Sequence, residues 1–345
     1  MKRYTLFLVL ILFCCVSTQI HAQRFGRTDT KTLTYEELYD DPYDINKLFI
    51  HLQPIYGELF TTNVTAGFGL QAQYYHQDVF DVMVHARTAY HSTFDMQRDA
   101  SFKNQIENSD NPILNEPKAF GYMEAVVTYH VVDREEDVES KFVLYSKRTQ
   151  GDKWAATVPD HTVIPTKMRR IYGVRVGALH YQTAFNVNRI LENQDVVLED
   201  EFGDAIDPNL SVYNDYTASG FILGGSISLI KNVAVQPDSK YGTLVNDLIF
   251  TAYFDIIATP FVTVSDIYEQ IDTGERLYTG DQINTSILGA RAGIEGKFNR
   301  ALAWGYGAEV GYRPGLQGSG FYMTAKISFP VFSTKLDNRV ESFGK

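Results

Sequence analysis

The sequence has few cysteines, no long apolar run and no excess of basic residues, and each of these absences excludes a class of protein. Of 345 residues only two are cysteines, Cys14 and Cys15, and both lie in an apolar stretch near the N-terminus. The remaining chain therefore has no disulfide framework, no cysteine-ligated metal and no cysteine nucleophile. No apolar run reaches the roughly 20 residues of a membrane helix. The formal net charge of -11 argues against nucleic acid as a partner, because phosphate binding needs clustered cations.

The N-terminus has the features of a secretory signal peptide. Two basic residues precede an apolar run from Leu6 to Cys15, and a polar stretch with a small residue at the cleavage position follows. We expect residues 1–22 to be removed on export. Acylation of Cys15, as in a lipoprotein, is the less favoured alternative because Phe13 is bulky for that signal.

The chain is rich in aromatic residues, and large apolar residues alternate strictly with small or polar ones in several segments. It contains 22 tyrosines and 22 phenylalanines. Between Ala301 and Arg313 large apolar residues alternate with glycine and charged residues, which predicts a strand whose two faces meet different environments. The same alternation, or a weaker form of it, predicts further strands at 47–57, 64–74, 80–90, 118–131, 140–147, 168–182, 218–231, 246–259, 288–298 and 321–329.

These segments predict an all-β fold, a closed antiparallel transmembrane β-barrel. We count about eleven strands, and because single-chain barrels favour even numbers we expect about 12, within 10–14. The barrel would occupy residues 47–332, after a periplasmic N-terminal segment, 23–46, and before a C-terminal tail, 333–345. In the N-terminal segment Thr34 and Glu37 fit the capping box of a short helix, and a disordered leader is the equal alternative.

The polar faces of the strands decide between a soluble barrel and a membrane barrel. They combine many glycines with sparse charges of both signs, which suits a crowded interior better than a water-exposed face, because strand glycine packs nothing. Aromatic faces would then contact lipid. We expect the charged side chains to line the lumen: Asp81, Arg87, Glu124, Arg175, Asp255, Arg291, Glu295, Glu309 and Arg313.

The short segment "NRA" at 299–301 predicts a register. As a three-residue hairpin loop it pairs Phe298 with Leu302 and places Arg291 directly opposite Glu309 on the inner face. Opposite charges at a directly paired site attract each other and help to fix the register.

The chain resembles the outer-membrane β-barrel proteins of Gram-negative bacteria. The resemblance covers about 23–332 and consists of the export signal ending in "HAQ", the repeated two-faced strands, the aromatic residues near strand ends and the last strand, "FYMTAKISF". In that strand Ile327 and Phe329 match the aromatic-terminated pattern of such proteins. The resemblance implies a location in the outer membrane and contact with its lipid.

For function we expect a non-enzymatic protein without cofactor or metal. It would be an integral subunit of an envelope assembly, in contact with other envelope proteins, or a narrow diffusion pore. An outer-membrane enzyme is one alternative, since His85, His130, Ser226 and Ser228 lie on inner faces, but no catalytic signature links them. A soluble periplasmic or secreted all-β binding protein is the other. The acidic runs at 133–139 and 198–207 lack the spacing of a calcium loop.

Overall fold

The structure is a computed structural model that describes residues 33–334 except 77, 105–112, 114, 151–152, 209, 239–240, 272–273 and 300–303. The side chains of 104 and 145–160 are also outside the description. The predicted signal peptide with Cys14 and Cys15, most of the predicted tail, and Leu302 therefore lie outside the described residues.

The described chain is almost entirely β-structure, in agreement with the predicted all-β class. The strands in chain order are β1 (Tyr35–Asp40), β2 (Leu48–Phe60), β3 (Val64–His76), β4 (Phe80–Ala89), β5 (Gly121–Gln150), β6 (Lys153–Asn186), β7 (Tyr213–Ile230), β8 (Val233–Pro237), β9 (Leu244–Asn246), β10 (Leu248–Val264), β11 (Ile267–Ile271), β12 (Gly274–Tyr278), β13 (Thr285–Ser286), β14 (Leu288–Phe298), β15 (Gly305–Tyr312), β16 (Gly315–Leu316) and β17 (Phe321–Ser333).

Ten of these strands close into an antiparallel barrel. The order is β2-β3-β4-β5-β6-β7-β10-β14-β15-β17, and β17 pairs back with β2. The expected number of about 12 is therefore too high. The segment 140–147, which we counted as a separate strand, is the continuation of β5, which has already crossed the barrel at 121–130. Ten remains within the range of 10–14 and is an even number.

The outer face of the barrel is apolar and the inner face is polar. This distribution is the reverse of that in a soluble barrel, and it gives the chain the architecture of a membrane-spanning barrel. The exposed apolar residues on the barrel strands form one belt, the outer belt, which includes Phe68, Leu70, Val84, Met123, Val127, Val174, Val176, Phe221, Leu223, Phe254, Ile256, Ile294, Val310 and Met323.

The register of β14 and β15 differs from the predicted one by two residues. Arg291 lies opposite Gly311, and Glu309 lies opposite Gly293. The prediction that Arg291 and Glu309 are direct partners is therefore wrong. Because side chains alternate with a period of two, a slip of two residues leaves every side chain on its predicted face, and alternation alone cannot detect it.

One end of the barrel, which we call the loop end, is covered by long connections. These are the described parts of segments 90–120, 187–212 and 265–287, and together they form the loop-end cap. They contain the helices Met96–Asn104 and Val187–Gln194 and the β11–β12 hairpin. No helix among the described residues is long and apolar enough to span a membrane. Cap side chains pack in one apolar cluster with lumen tyrosines: Ile113, Phe120, Ile190, Leu198, Ile267 and Tyr278 with Tyr56, Tyr122 and Tyr181.

At the opposite end, the termini end, β2 begins and β17 ends. Here β5 and β6 continue past their barrel neighbours: β4 pairs with β5 as far as Tyr129, and β7 pairs with β6 as far as Arg169. Beyond these points the two strands pair with each other to Gln150 and Lys153. We call this projection the arm (131–168). It extends about 60 Å at roughly 3.3 Å per residue.

A small second sheet packs against the arm. It has the order β1-β8-β9, and its Val233 and Val235 form an apolar cluster with Phe142 and Ile164 of the arm. The short helix expected at Thr34 and Glu37 is therefore wrong, and so is the disordered leader over Tyr35–Asp40, whereas residues 23–32 lie outside the described residues. Pairing with β8 gives hydrogen-bond partners to the backbone groups on one edge of Tyr35–Asp40 and overrides the weak local capping signal.

The contact between the first and last barrel strands is irregular. The ladder between β17 and β2 shifts its register twice, between Ile327 and Phe329 and again between Pro330 and Phe332. On the other side β2 shifts against β3 between Gln53 and Tyr56, where Pro54 lies. Bulges and prolines occur together here because proline cannot donate to the ladder.

Candidate functional site

The barrel lumen collects the charges that the sequence singles out. Strand alternation turns them inward, and the structure places all nine predicted lumen residues there. Eight of them are buried, with exposed fractions from 0% at Asp255 to 9% at Glu309, and Glu295 is partly buried. The side chains form three layers that follow one another from the loop end to the termini end.

The layer nearest the loop end is built on Arg313, which lies just after β15. Its Nη1 and Nη2 atoms donate to the two carboxylate oxygens of Glu58 on β2, at 2.7 and 2.9 Å. Tyr56 donates to the same carboxylate at 2.6 Å. The guanidinium also lies over the ring of Tyr322, 4.1 Å from its centroid. The paired, stacked arrangement suits arginine and not lysine.

The middle layer is built on Arg291 of β14. Its Nε donates to Asp255 at 2.9 Å, and its Nη1 donates to Glu124 at 2.7 Å. The same Nη1 lies 3.2 Å from Glu309. The predicted ion pair between Arg291 and Glu309 thus exists, but it runs diagonally between the strands. On the far side of Asp255, Arg175 donates to it at 2.9 Å.

Arg87 occupies the same level, and no carboxylate of the described residues forms an ion pair with it. It lies between two aromatic rings, 4.9 Å from the centroid of Tyr56 and 4.1 Å from that of Tyr122. A guanidinium stacks well on such rings because their faces carry partial negative charge. Its Nε is buried and makes no hydrogen bond to protein.

The layer nearest the termini end is a chain of polar side chains. Lys326 pairs with Glu295 and donates to Gln71 at 3.2 Å. Further toward the termini end, Lys297 donates to Gln73, which in turn donates to Asp81 at 2.8 Å. His130 lies 3.1 Å from the same aspartate.

Sequence reasoning missed several members of these layers. Glu58, Lys297 and Lys326 lie on polar faces that the alternation identifies, yet we did not include them among the lumen charges. Charge balance is the signal that finds them. With them the three layers contain six cations and six carboxylates: Arg87, Arg175, Arg291, Arg313, Lys297 and Lys326 with Glu58, Asp81, Glu124, Asp255, Glu295 and Glu309.

Inner-face glycines make room for these side chains and do not open a channel. A Cβ at Gly293 would lie 2.4 Å from the ring of Tyr253, and a Cβ at Gly307 would lie 2.4 Å from Lys326. Both distances are far shorter than van der Waals contact. The space above each glycine is therefore already filled by a large side chain from a neighbouring strand.

Two small cavities lie among the described lumen residues. One, between His51 and Lys326, has a volume of about 20 Å³, and another, between Arg87 and Glu309, has about 10 Å³. A water molecule needs roughly 10–15 Å³ by this measure. Each cavity therefore has room for about one water molecule, and neither is a passage.

The candidate catalytic residues do not form a catalytic arrangement. His85 bonds to Gln53 at 2.7 Å, and Ser228 bonds to Thr251 at 2.8 Å. In the described part of the chain, no hydrogen bond joins His85 or His130 to Ser226 or Ser228. The His51–Ser328 contact at 3.2 Å is buried beside the 20 Å³ cavity, which cannot admit a substrate. Among residues 33–334, within the described part, no group of three or more acidic, histidine or cysteine side chains is placed to hold a metal ion.

No protein-family model matches the chain. No curated protein matches it either. Among solved structures it is similar to a CymD monoaromatic hydrocarbon channel, at 8% identity over 85% of this chain and 93% of that one, with a TM-score of 0.23. It is also similar to OmpT, an outer membrane protein of Vibrio cholerae, at 13% identity over 86% of this chain and 99% of that one, with a TM-score of 0.16. The architecture described above rests on this chain's own strand pairing.

Proposed function

We propose that this protein is an outer-membrane barrel with a sealed lumen, and that it serves as a non-enzymatic integral subunit of an envelope assembly. The observation that carries the proposal is the filled lumen. Three layers of buried, mutually paired side chains lie across it, and the loop-end cap packs on the first layer. A diffusion pore needs a continuous water path, which these layers interrupt.

The arm supports a role in an assembly. Outer-membrane barrels have longer loops outside and shorter turns on the periplasmic side. Three long connections lie at the loop end, whereas at the termini end β3–β4 and β14–β15 are joined by short ones, with the arm and segment 231–247 as the long exceptions. We therefore place the loop end outward and the termini end in the periplasm. The arm then reaches about 60 Å into the periplasm at roughly 3.3 Å per residue. Packing against the β1-β8-β9 sheet fixes the orientation of the arm, and the arm therefore presents a structured surface to another envelope protein.

Two measurements on the purified protein test the proposal. In planar bilayers we expect no stable conductance from the full chain. Affinity purification from crosslinked envelopes should recover the same envelope proteins reproducibly. Stable single-channel conductance together with an absence of partners would overturn the proposal and favour the narrow pore instead.

A shortened arm gives the matched variant for the second measurement. Leu144 pairs with Asp160, so residues 145–159 can be replaced by Asn-Gly, which closes a two-residue hairpin at that pair. The clusters around Phe142 and Ile164 stay in place. We expect this variant to fold, shown by heat-modifiable migration, and to lose the partners. Partners that remain at wild-type level would show that the distal arm is not the docking surface.

A further inference from the structure

A groove lies on the outer belt, and the alternation of apolar and polar residues along the strands does not explain its presence. It has a volume of about 370 Å³, within the range of about 300–1,000 Å³ that is usual for small-molecule sites. It crosses the outer faces of β3, β4, β5 and β6.

The strand register shows how the groove is made. Two cross-strand rows lie side by side: Phe68, Thr88, Gly121 and Gln182 in the first, and Leu70, Ala86, Met123 and His180 in the second. Three of the four middle positions therefore carry small side chains, while Met123 and the residues on β3 and β6 are larger. Thr88, Ala86 and Gly121 form the floor, and the larger residues form the walls.

The two ends of the groove differ in polarity. Thr88, His180 and Gln182 lie toward the loop end. The next row toward the middle of the belt is wholly apolar and mostly small: Ala72, Val84, Ala125 and Ala178. His180 is exposed, and its Nδ1 bonds to Ser219 at 2.8 Å, which leaves Nε2 for an outside ligand. Within the groove itself, polar side chains (Thr88, His180 and Gln182) thus lie toward the loop end, and apolar side chains (Leu70, Ala86 and Met123) lie toward the middle of the belt.

We propose that this groove binds an acyl chain of a lipid from the leaflet at the loop end. The groove opens on the lipid-facing belt, so lipid is the molecule it meets. The polar and apolar parts of a lipid follow the same order along the membrane normal, because the polar headgroup lies at the membrane boundary and the hydrocarbon chain lies below it. An occupying chain restores the dispersion contacts that the walls lack in an empty groove. The inference uses the membrane placement of the barrel and is independent of any protein partner.

Gly121→Leu provides a direct test because it fills the groove without disturbing the backbone. A Cβ at Gly121 comes no nearer than 3.6 Å to any other atom, the side chain of Gln182, which is ordinary contact. Gly225→Leu is the matched control. Gly225 lies on the outer face of β7, and its Cβ would meet only the carbonyl of Gly173, at 3.7 Å. Ala86→Leu blocks the groove from a second position.

The measurement is native mass spectrometry of the detergent-purified full chain with added dimyristoylphosphatidylglycerol. We expect one lipid to stay bound, at least tenfold tighter than any further lipid. Gly121→Leu and Ala86→Leu should weaken this first binding at least tenfold, and Gly225→Leu should leave it unchanged. Heat-modifiable migration verifies the folding of each variant. No retained lipid in the wild type, or equal retention in Gly121→Leu and Gly225→Leu, would overturn the proposal.

A second probe tests the polar end of the groove. With dimyristoylglycerol, which has the same chains and no phosphate headgroup, we expect weaker binding to the wild type than with the phospholipid. His180→Phe should remove this preference and keep the chain bound. A preference that survives in His180→Phe would show that His180 does not contact the headgroup.

Discussion

Arg313 and Glu58 are joined by two hydrogen bonds although 255 residues separate them in the sequence. Glu58 lies on the first barrel strand, and Arg313 lies in the turn that leads to the last one. Both side chains are almost wholly buried. Their pair therefore connects β2 to the turn between β15 and β17 through the interior, in addition to the backbone ladder between β2 and β17.

The geometry of this pair predicts that Arg313→Lys is not a conservative change. Lysine cannot make the two parallel hydrogen bonds or stack on Tyr322. We expect the free energy of unfolding to fall by about 1.5–3 kcal/mol, the range for a hydrogen bond to a charged group. Urea unfolding of the detergent-folded barrel measures it. Arg134→Lys is the control, because Arg134 pairs with Glu136 on the exposed arm, where such pairs contribute about 0–1 kcal/mol.

Glu309→Ala should show whether the lumen is dry. The change removes a partner of Arg291 and the acceptor of both Tyr253 and Tyr322, and it leaves the lumen with one excess positive charge. In a sealed lumen we expect a loss of about 3–5 kcal/mol in the free energy of unfolding. In a hydrated lumen the loss would be under about 1 kcal/mol, and any conductance would shift toward anions. A variant with unchanged stability would contradict the sealed lumen.

The arm and the barrel should lose structure independently. Phe142 is buried against the β1-β8-β9 sheet, whereas its neighbour Val143 is half exposed. We expect Phe142→Ala to destabilise the arm by about 3–5 kcal/mol and to make it sensitive to protease, while heat-modifiable migration of the barrel stays the same. Val143→Ala should change neither. Loss of barrel migration in Phe142→Ala would mean that the arm supports the barrel itself.

Tyr278 should make the loop-end cap sensitive to alkaline pH. Burial, together with its hydrogen bond to Glu269 at 2.8 Å, raises the pKa of Tyr278 to about 12. The folded cap favours the protonated phenol, so this stabilisation is complete below pH 10 and is lost as pH rises through about 12. The difference in tyrosinate absorbance between wild type and Tyr278→Phe should show one group with a midpoint near 12. A midpoint near 10 would contradict the buried contact.

Alternation predicted the inner and outer faces of the barrel, because face depends only on whether a position is odd or even. It did not give the register of β14 and β15, since a two-residue slip preserves both faces. It also did not separate the arm from the barrel. In the arm Phe142 and Leu144 face a small sheet instead of lipid, and that surface produces the same period of two.

Other parts of the site depend on contacts that no local pattern encodes. The strand β1 forms because it pairs with β8, which is about 200 residues away in the sequence. The partners of Arg291 come from β5, β10 and β15, so their meeting requires the closed barrel. Charge balance across all polar faces was the one sequence signal that could have completed the set.

The irregular ladder between β2 and β17 also concerns how the chain reaches its membrane state. Until those two strands meet, each is the free edge of a growing sheet, and a free edge can capture strands from other chains. Pro54 and Pro330 each interrupt the row of donors on these edges, and the register shifts beside them twist the edges away from a flat template. The irregularities of this ladder in the finished barrel therefore protect the same two strand edges before closure, when aggregation is the main hazard.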